Sequence, residues 1–426
     1  MEQTMITEPE RRIPVAGTYD VIVAGSGPSG FAAAVMAARG GAKTLLIEGQ
    51  SSVGGMSTSG LMSHFSGTVD SPLYRELLAR MNRHNRADAP FVGSIDPEQL
   101  KTTYLEMLAE AGVTIRLYTF VCDVIRTGDC VRGVITESKS GREAFLGRVL
   151  VDGTGDGDVA ARAGAAYRKG RETDGKMQPA TLMFKVGGVD MARAVFPPSF
   201  ETTIQTEKGE LQALAKQHLP FPAGHVLLYA SPVPGIVTCN MTNCIEVDGT
   251  DADDLTRAEQ VCRSQMNPIV DFLRAYVPGY ERCEIVSAAA MIGVRETRHF
   301  VGEAQISETD ILAARQFDDW VVRGAHFDFD VHNLTGPSLD RTGMQKGFPQ
   351  PKGYTIPYGC LVPKRLDGLL LSGRNISGTH LAHASFRVMP ICVGIGAACG
   401  AAAAIAVRRG VSLRDVPVAE IQRVIR

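Results

Sequence analysis

YDVIVAGSGPSGFAAAVMAARGGAKTLLIE, residues 19–48, is the stretch on which the fold turns. Residues 19–24 are apolar and β-branched enough for a buried strand, Gly25-Ser26-Gly27-Pro28-Ser29-Gly30 follows without a spacer, and residues 31–39 have the Ala-rich composition of a helix. Residues 43–47 form a second buried strand, and Glu48 closes it eighteen residues after the third glycine. Gly25 permits a tight turn, Gly27 lets a diphosphate reach bare backbone, and Gly30 lets the helix pack closely on the strand. Phosphates would sit at the helix N-terminus, where unpaired N–H groups and the helix dipole favour negative charge. Glu48, at the strand end, is placed to accept hydrogen bonds from adenosine ribose hydroxyls. Strand, turn, helix, strand and acid in register make this a dinucleotide-binding unit.

Outward from this unit, Gly49 follows the acid, and Gly54-Gly55, six residues past Glu48, lies in Val53-Gly54-Gly55-Met56-Ser57-Thr58-Ser59-Gly60. Residues 150–158 read Leu-Val-Asp-Gly-Thr-Gly-Asp-Gly-Asp, and residues 369–374 read Leu-Leu-Leu-Ser-Gly-Arg. Taken with the opening motif, these segments resemble the FAD-dependent oxidoreductases of the glutathione-reductase and fumarate-reductase superfamily, in the expected order and across nearly the whole chain. Closest in pattern is the branch called simply FAD-dependent oxidoreductase. Its late signature is similar to Gly373-Arg374-Asn375-Ile376-Ser377-Gly378-Thr379-His380, then His383, then Arg387-Val388-Met389-Pro390 and a Gly/Ala-rich helix. Gly293-Val294-Arg295-Glu296-Thr297-Arg298 also looks like a signature of that branch.

The resemblance implies FAD as cofactor, held by Gly25, Gly27, Pro28, Ser29, Gly30, Glu48 and Gly49, then by Gly54, Gly55, Met56, Ser57 and Thr58 under the flavin. It implies further contacts from Val121 (backbone to the adenine edge), Gly153, Thr154, Gly155, Asp156, Gly373 and Arg374, and from Gly394 and Ile395 on the closing helix. His64, nine residues past Gly55, raises covalent attachment, but the histidine pattern of fumarate-reductase relatives is not reproduced around it, so non-covalent FAD is expected. Disulfide-reductase activity is disfavoured because Met56-Ser57-Thr58 stands where those enzymes carry a C-x4-C pair.

The implied fold is α/β: a Rossmann-like FAD-binding domain, with a central parallel sheet and a β-meander, and an inserted α+β substrate domain. Residues 1–70 are its first FAD-binding part and 71–99 an excursion toward the substrate domain. Residues 100–174 carry the second part with the meander, 175–354 the substrate domain, and 355–426 the third part. Asp96-Pro97-Glu98-Gln99 caps a helix that ends near Gly112, with an apolar face of Leu100, Tyr104, Met107 and Leu108. Residues 113–117 should be the next parallel strand. Residues 120–126, 130–136 and 145–151, separated by Thr127-Gly128-Asp129 and Ser140-Gly141-Arg142, read as the meander. In the central part, residues 236–247 alternate as a strand, 256–277 read as a helix interrupted or bent at Pro268, and 291–300 as a strand facing the flavin.

For chemistry, His383, Arg387 and His380 fall between the late flavin strand and the final helix, where an imidazole can exchange a proton and a guanidinium can hold a carboxylate or oxyanion. Arg295 and Arg298 are further candidates, each with a structural ion pair as the competing role. His326, Asp328, Asp330 and His332 alternate, which suggests a metal site, but Phe327, Phe329 and Val331 filling the other face make a solvated polar edge the simpler reading. No metal is therefore expected.

A chain of 426 residues exceeds one core, so two or more domains are expected. A net charge of −2 and no basic stripe argue against nucleic acid or an anionic membrane as partner, leaving a small-molecule substrate and an electron donor or acceptor of unknown kind. No second glycine fingerprint offers NAD(P) a domain of its own. Nine cysteines without a C-x-x-C pair suggest a reducing cytoplasm, and the apolar run at 391–407, rich in Gly and Ala, suits a buried helix better than a membrane span. A homo-oligomer is compatible with all of this. The leading function is hydride transfer between flavin and a small organic molecule, by a dehydrogenase, oxidase or alkene reductase. Flavin monooxygenase is the second enzyme reading, and an RNA-modification flavoprotein or non-catalytic FAD-binding module is the alternative of another class.

Overall fold

The structure, a computed structural model, describes residues 5–83, 93–197, 202–338 and 353–426. The opening stretch folds as β1 (Val15–Ala24), α1 (Pro28–Arg39) and β2 (Thr44–Ile47), followed by α2 (Pro72–Asn82), α3 (Pro97–Glu110) and β3 (Thr114–Arg116). Asp96 accepts from the backbone N–H groups of Glu98 and Gln99, so α3 begins at the expected cap. The meander is β4 (Thr119–Thr127), β5 (Cys130–Ser138) and β6 (Gly141–Asp152), then α4 (Asp158–Arg162) and β7 (Tyr167–Lys169).

One seven-stranded sheet runs β3-β2-β1-β6-β5-β4, with β17 (Leu369–Leu371) pairing β6 as well. β1 is parallel to both β2 and β6, whereas β4, β5 and β6 are antiparallel neighbours. β6 is thus the hinge of the design: its first half closes the meander, and its second half lies between β1 and β17 and delivers Asp152-Gly153 beside the opening turn.

The central part contains β8 (Phe184–Gly187), the short hairpin β9 (Gln205–Thr206) and β10 (Gly209–Glu210), α5 (Leu211–His218), β11 (Leu228–Ala230), β12 (Val237–Cys239), α6 (Ala252–Tyr276) and β13 (Glu284–Ala288). Strands β11-β12-β8-β13 make a four-stranded antiparallel sheet, and α6 runs through Pro268 as one helix. After β14 (Arg298–Phe300), α7 (Glu308–Leu312), β15 (Trp320–Ala325) and β16 (Tyr354–Pro357), the chain re-enters the large sheet at β17 and ends in α8 (His380–Phe386), α9 (Met389–Arg409) and α10 (Val418–Ile425). α9 is long and apolar enough to cross a membrane, yet 94% of its most apolar window is buried inside the protein, packed against α1.

Several sequence expectations change here. The second hydrophobic core is built from residues between Ala180 and Ile292, while Phe300, Val321, Val322 and Phe329 join the first core, so the central unit closes well before residue 354. Leu73, Tyr74, Leu77 and Met81 of α2 also pack on the first core, so residues 72–82 make no excursion. The expected strand at 236–247 stops at Cys239. Side chains replace the ladder beyond it: Thr242 Oγ1 accepts from Leu182 N–H and donates to Leu182 O, and Gln265 clamps both the N–H and the C=O of Asn243. Only residues 298–300 of the expected 291–300 strand are extended in a ladder, paired with β7.

Candidate functional site

The turn after β1 is a concavity of backbone. Gly25 has φ +85°, and a Cβ there would lie 2.5 Å from Gly153 O. A Cβ on Gly30 would lie 1.9 Å from Gly25 O, which is why no larger residue fits where α1 crosses the turn. At Gly27, by contrast, a Cβ would meet nothing within 4 Å, and no side chain caps α1. An open face of bare backbone at a helix N-terminus has the chemistry of an anion seat. Glu48 Oε2 accepts from the N–H and the hydroxyl of Ser26 at 2.8 and 2.7 Å, and Oε1 accepts from Gln50 N–H at 2.8 Å. Its carboxylate is thereby fixed at the rim of the turn, with lone pairs to spare for a diol.

Three other segments converge on the same place. Gly54, at φ +107°, donates its N–H to Ser26 O, and a Cβ on Gly55 would lie 3.1 Å from Gly27 Cα. Ser57 and Thr58 lock that turn by donating to Gly54 O and Val53 O. Gly153 touches Gly30, and buried Asp152 accepts from Thr154 N–H, Thr154 Oγ1 and Ala160 N–H, so it moulds the loop rather than facing solvent. Gly373 lies on Ser29, whose hydroxyl meets that of Ser372 at 2.6 Å, and Arg374 pairs with Asp156 at 2.5 Å beside Gly155. Gly49 abuts Phe120, and Val121 stands next to it on β4, the edge strand of the meander. These residues fit a dinucleotide: open backbone for the diphosphate, an acid for the ribose, and small residues wherever chain must approach chain.

From Gly394 and Ile395 the expectation changes. Gly394 faces Val69 and Val322, and Ile395 is wholly buried in the core. The residue of α9 that reaches the phosphate turn is Gly396, where a Cβ would lie 2.0 Å from Ser29 O.

A cavity of about 580 Å³, within the range of small-ligand pockets, opens between these segments and the central sheet. Met56 and Arg374 line it from the dinucleotide side, and Thr181, Met183, Leu227 and Tyr229 from the central side. Arg387 and Arg295 both reach it. Arg387 Nη2 donates to Asp330 O at 2.8 Å and to Asp330 Oδ2 at 2.9 Å, and His332 Nε2 lies 3.5 Å from Asp330 Oδ1. Burial alone would raise the Asp330 carboxyl, but His332, Arg387 and Arg295 outweigh it and hold it well below the usual carboxylate range. Burial pulls His332 down to about 4 and His64 down to about 4, so both imidazoles are neutral at neutral pH. The expected solvated edge at residues 326–332 is therefore part of the cavity wall. It is not a strand, since β15 ends at Ala325, and its alternation does not place the four polar groups on one face.

His380 and His383 are not on that wall. His380 Nδ1 and His299 Nε2 both bond Glu296 Oε1, at 2.5 and 2.8 Å, and the ring of His383 packs edge-on against His299. Glu296 Oε2 also accepts Gln178 N–H, and Gln178 Oε1 accepts His332 N–H, so this buried knot buttresses the cavity from behind. Glu296, His299 and His380 offer ligand atoms within 4.8 Å of one another, as a metal would need. Hydrogen bonding already satisfies the carboxylate, and His299 Nδ1 lacks the outer partner that orients a metal-bound imidazole. Arg298 is likewise structural: it donates to Asp156 O and Asp158 at 2.9 Å each and lies over Tyr167. Of the five expected catalytic residues, Arg387 and Arg295 meet in the cavity, joined by Asp330, His332 and His64, which the sequence had singled out for other roles, and by Tyr229, which it had not.

Residues 20–425 match the family described as FAD dependent oxidoreductase. The chain belongs to that family. It is accordingly an enzyme and its cofactor is FAD. Among solved structures it is similar to the flavin-dependent brominase Bmp2, at 14% identity over 96% of this chain and 83% of that one, with a TM-score of 0.51. It is also similar to p-nitrophenol 4-monooxygenase PnpA from Pseudomonas putida, at 10% identity over 95% of this chain and 83% of that one, with a TM-score of 0.50. At such identities the likeness shows the fold alone. No curated protein matches the sequence.

Proposed function

We propose that this FAD-dependent oxidoreductase transfers hydride between its flavin and a small organic molecule seated in the 580 Å³ cavity, as a dehydrogenase, oxidase or alkene reductase. One observation carries the reading: a single chamber is walled both by Met56 and Arg374, next to the dinucleotide turns, and by the central sheet. Non-covalent FAD, when bound, supplies the two-electron carrier that amino-acid side chains lack. Gly25 to Gly30 would hold its diphosphate, Glu48 a ribose, and Gly49 and Val121 the adenosine end. Gly54 to Thr58, Gly153 to Asp156, Gly373 and Arg374 would line the remainder. On the substrate side Arg387, kept in place by Asp330, offers positive charge in a partly water-excluded site, where it stabilises negative charge developing on substrate. With no second nucleotide fold among the described residues, the electron partner would reach this same chamber or act at its mouth, and nine free thiols suit a reducing cytoplasm.

Purified protein should show flavin absorbance, and anaerobic photoreduction followed by oxygen, fumarate or a dye should reveal which acceptor reoxidises it. Arg387→Met should retain flavin and lower kcat/KM by about 100-fold, the scale of a lost charge-assisted contact to the transition state. Normal turnover in that variant would sink the assignment.

A further inference from the structure

We propose that the cavity ligand is a monocarboxylate with an apolar body, its carboxylate seated on the free edge of the Arg295 guanidinium. This rests on the reading of the cavity as the substrate chamber and names the class of substrate it takes.

Arg295 lies deep in the molecule, yet its anchoring is one-sided. Nη1 donates to Pro179 O at 2.6 Å and to Thr181 Oγ1 at 2.8 Å. Nε and Nη2 make no hydrogen bond or ion pair with any described residue, and neither atom is sealed from solvent. Arg295 lines the cavity, and with Nη1 engaged these two donors, which lie side by side on one edge of the planar group, are the ones left for a ligand there. That edge has the geometry of a bidentate carboxylate seat.

The charge around it is unbalanced. Arg387 has Asp330, and Arg374 has Asp156, but among the described residues no carboxylate lies in ion-pair contact with Arg295, which Asp330 attracts without touching. Asp328, another acid on the wall, makes no ion pair with Arg295, and burial raises its carboxyl above the ordinary value. Burial holds His225 at about 3 and His332 at about 4 and raises the Tyr229 phenol, so none of these three side chains carries a charge at neutral pH. Burial lowers Arg295 itself only to about 10, so it stays cationic at neutral pH. A buried unpaired guanidinium is costly unless an anion completes it. Arg387 and Arg374, also on the wall, are already paired with Asp330 and Asp156, while Met56, Met183, Leu227, Val294 and Phe327 give the chamber an apolar face for the body of the ligand.

Benzoate and benzamide, and butyrate and butyramide, are near-isosteric pairs that differ in charge, and they serve as probes on the FAD-loaded protein. Binding is read by calorimetry and by perturbation of the flavin bands, without turnover. The acids should bind saturably and at least roughly 10-fold more tightly than their amides. Arg295→Met should abolish that preference with flavin content unchanged, and Thr181→Val, which keeps the charge but frees the guanidinium, should weaken acid binding less. Equal affinity for acid and amide overturns the proposal, as does a preference that survives in Arg295→Met. Failure of wild-type protein to bind either acid, with Arg295→Met changing only the flavin reduction potential, also overturns it, because the cation would then serve the flavin's own negative charge. If Arg295→Met does not fold, the wild-type acid-to-amide ratio and Thr181→Val still decide. A protein that takes up no FAD at all refutes instead the function on which the proposal rests.

Discussion

Gly27 and Gly30 stand three residues apart and should respond to substitution in opposite ways. Gly27 has φ −58° and open space where a side chain would go, so Gly27→Val should leave the apo fold intact while lowering FAD affinity about tenfold or more, since its methyls take the place of the diphosphate. Gly30→Ala drives a methyl into Gly25 O and should destabilise by about 1–3 kcal/mol whatever the cofactor does. Chemical denaturation with and without FAD separates the two, and full flavin occupancy in Gly27→Val would refute the anion seat. Glu296→Ala leaves His299, His380 and Gln178 N–H without their shared acceptor and should cost about 3 kcal/mol or more in unfolding free energy. A change below the error of a denaturation curve would mean that the knot is not what braces the cavity.

At the scale of elements, the packing of α9 on α1 determines how closely the last segment approaches the opening turn. Gly396 and Gly400 face the backbone of α1, where a Cβ would lie 2.0 Å from Ser29 O and 2.3 Å from Ala33 O. Gly394 faces only the methyls of Val69 and Val322, at 2.9 and 3.3 Å. Gly396→Ala should therefore lose about 1–3 kcal/mol, because backbone cannot give way, and should shift the flavin spectrum. Gly394→Ala should stay within about 1 kcal/mol of the parent, a modest overlap being offset by better helix propensity. Equal denaturation midpoints for the two variants would show that the helices do not meet through Gly396.

Across the whole molecule, acid should act through histidines buried neutral. His64, His225 and His332 sit at about 4, 3 and 4, and His383 well below its ordinary value, each because burial disfavours the charged ring. The unfolded chain takes up these protons near pH 6.5, whereas the native state resists them until much lower pH. Stability should thus fall as pH drops from about 6.5 toward 4, by roughly 1.4 kcal/mol per pH unit for each such group. Glu296 and Asp330 have depressed carboxyls, so their contribution is kept above the ordinary carboxylate range and is lost only in stronger acid. Urea midpoints of the FAD-loaded protein at pH 7.5 and 5.0 test this, and equal midpoints would contradict it.

The opening βαβ unit, the meander, the late flavin strand and the closing helix were legible because each is local. A glycine turn, a period of two, or a capped amphipathic run carries its own reason within a dozen residues. Glycines 25, 27 and 30 and Glu48 owe their placement to steric and hydrogen-bonding needs that adjacent residues already state. The cavity was not legible in this way. Arg295, Asp330, His332, Tyr229 and Arg387 come from separate segments, and nothing local distinguishes Arg387 at the chamber from His383 one turn behind it, or Gly394 from Gly396. The charge balance around Arg295 also depends on which acids the folded chain brings near it, since an ion pair is settled by distance in space. Sequence by itself determined the cofactor-binding scaffold and the family, whereas tertiary structure alone decided which charges face the cavity.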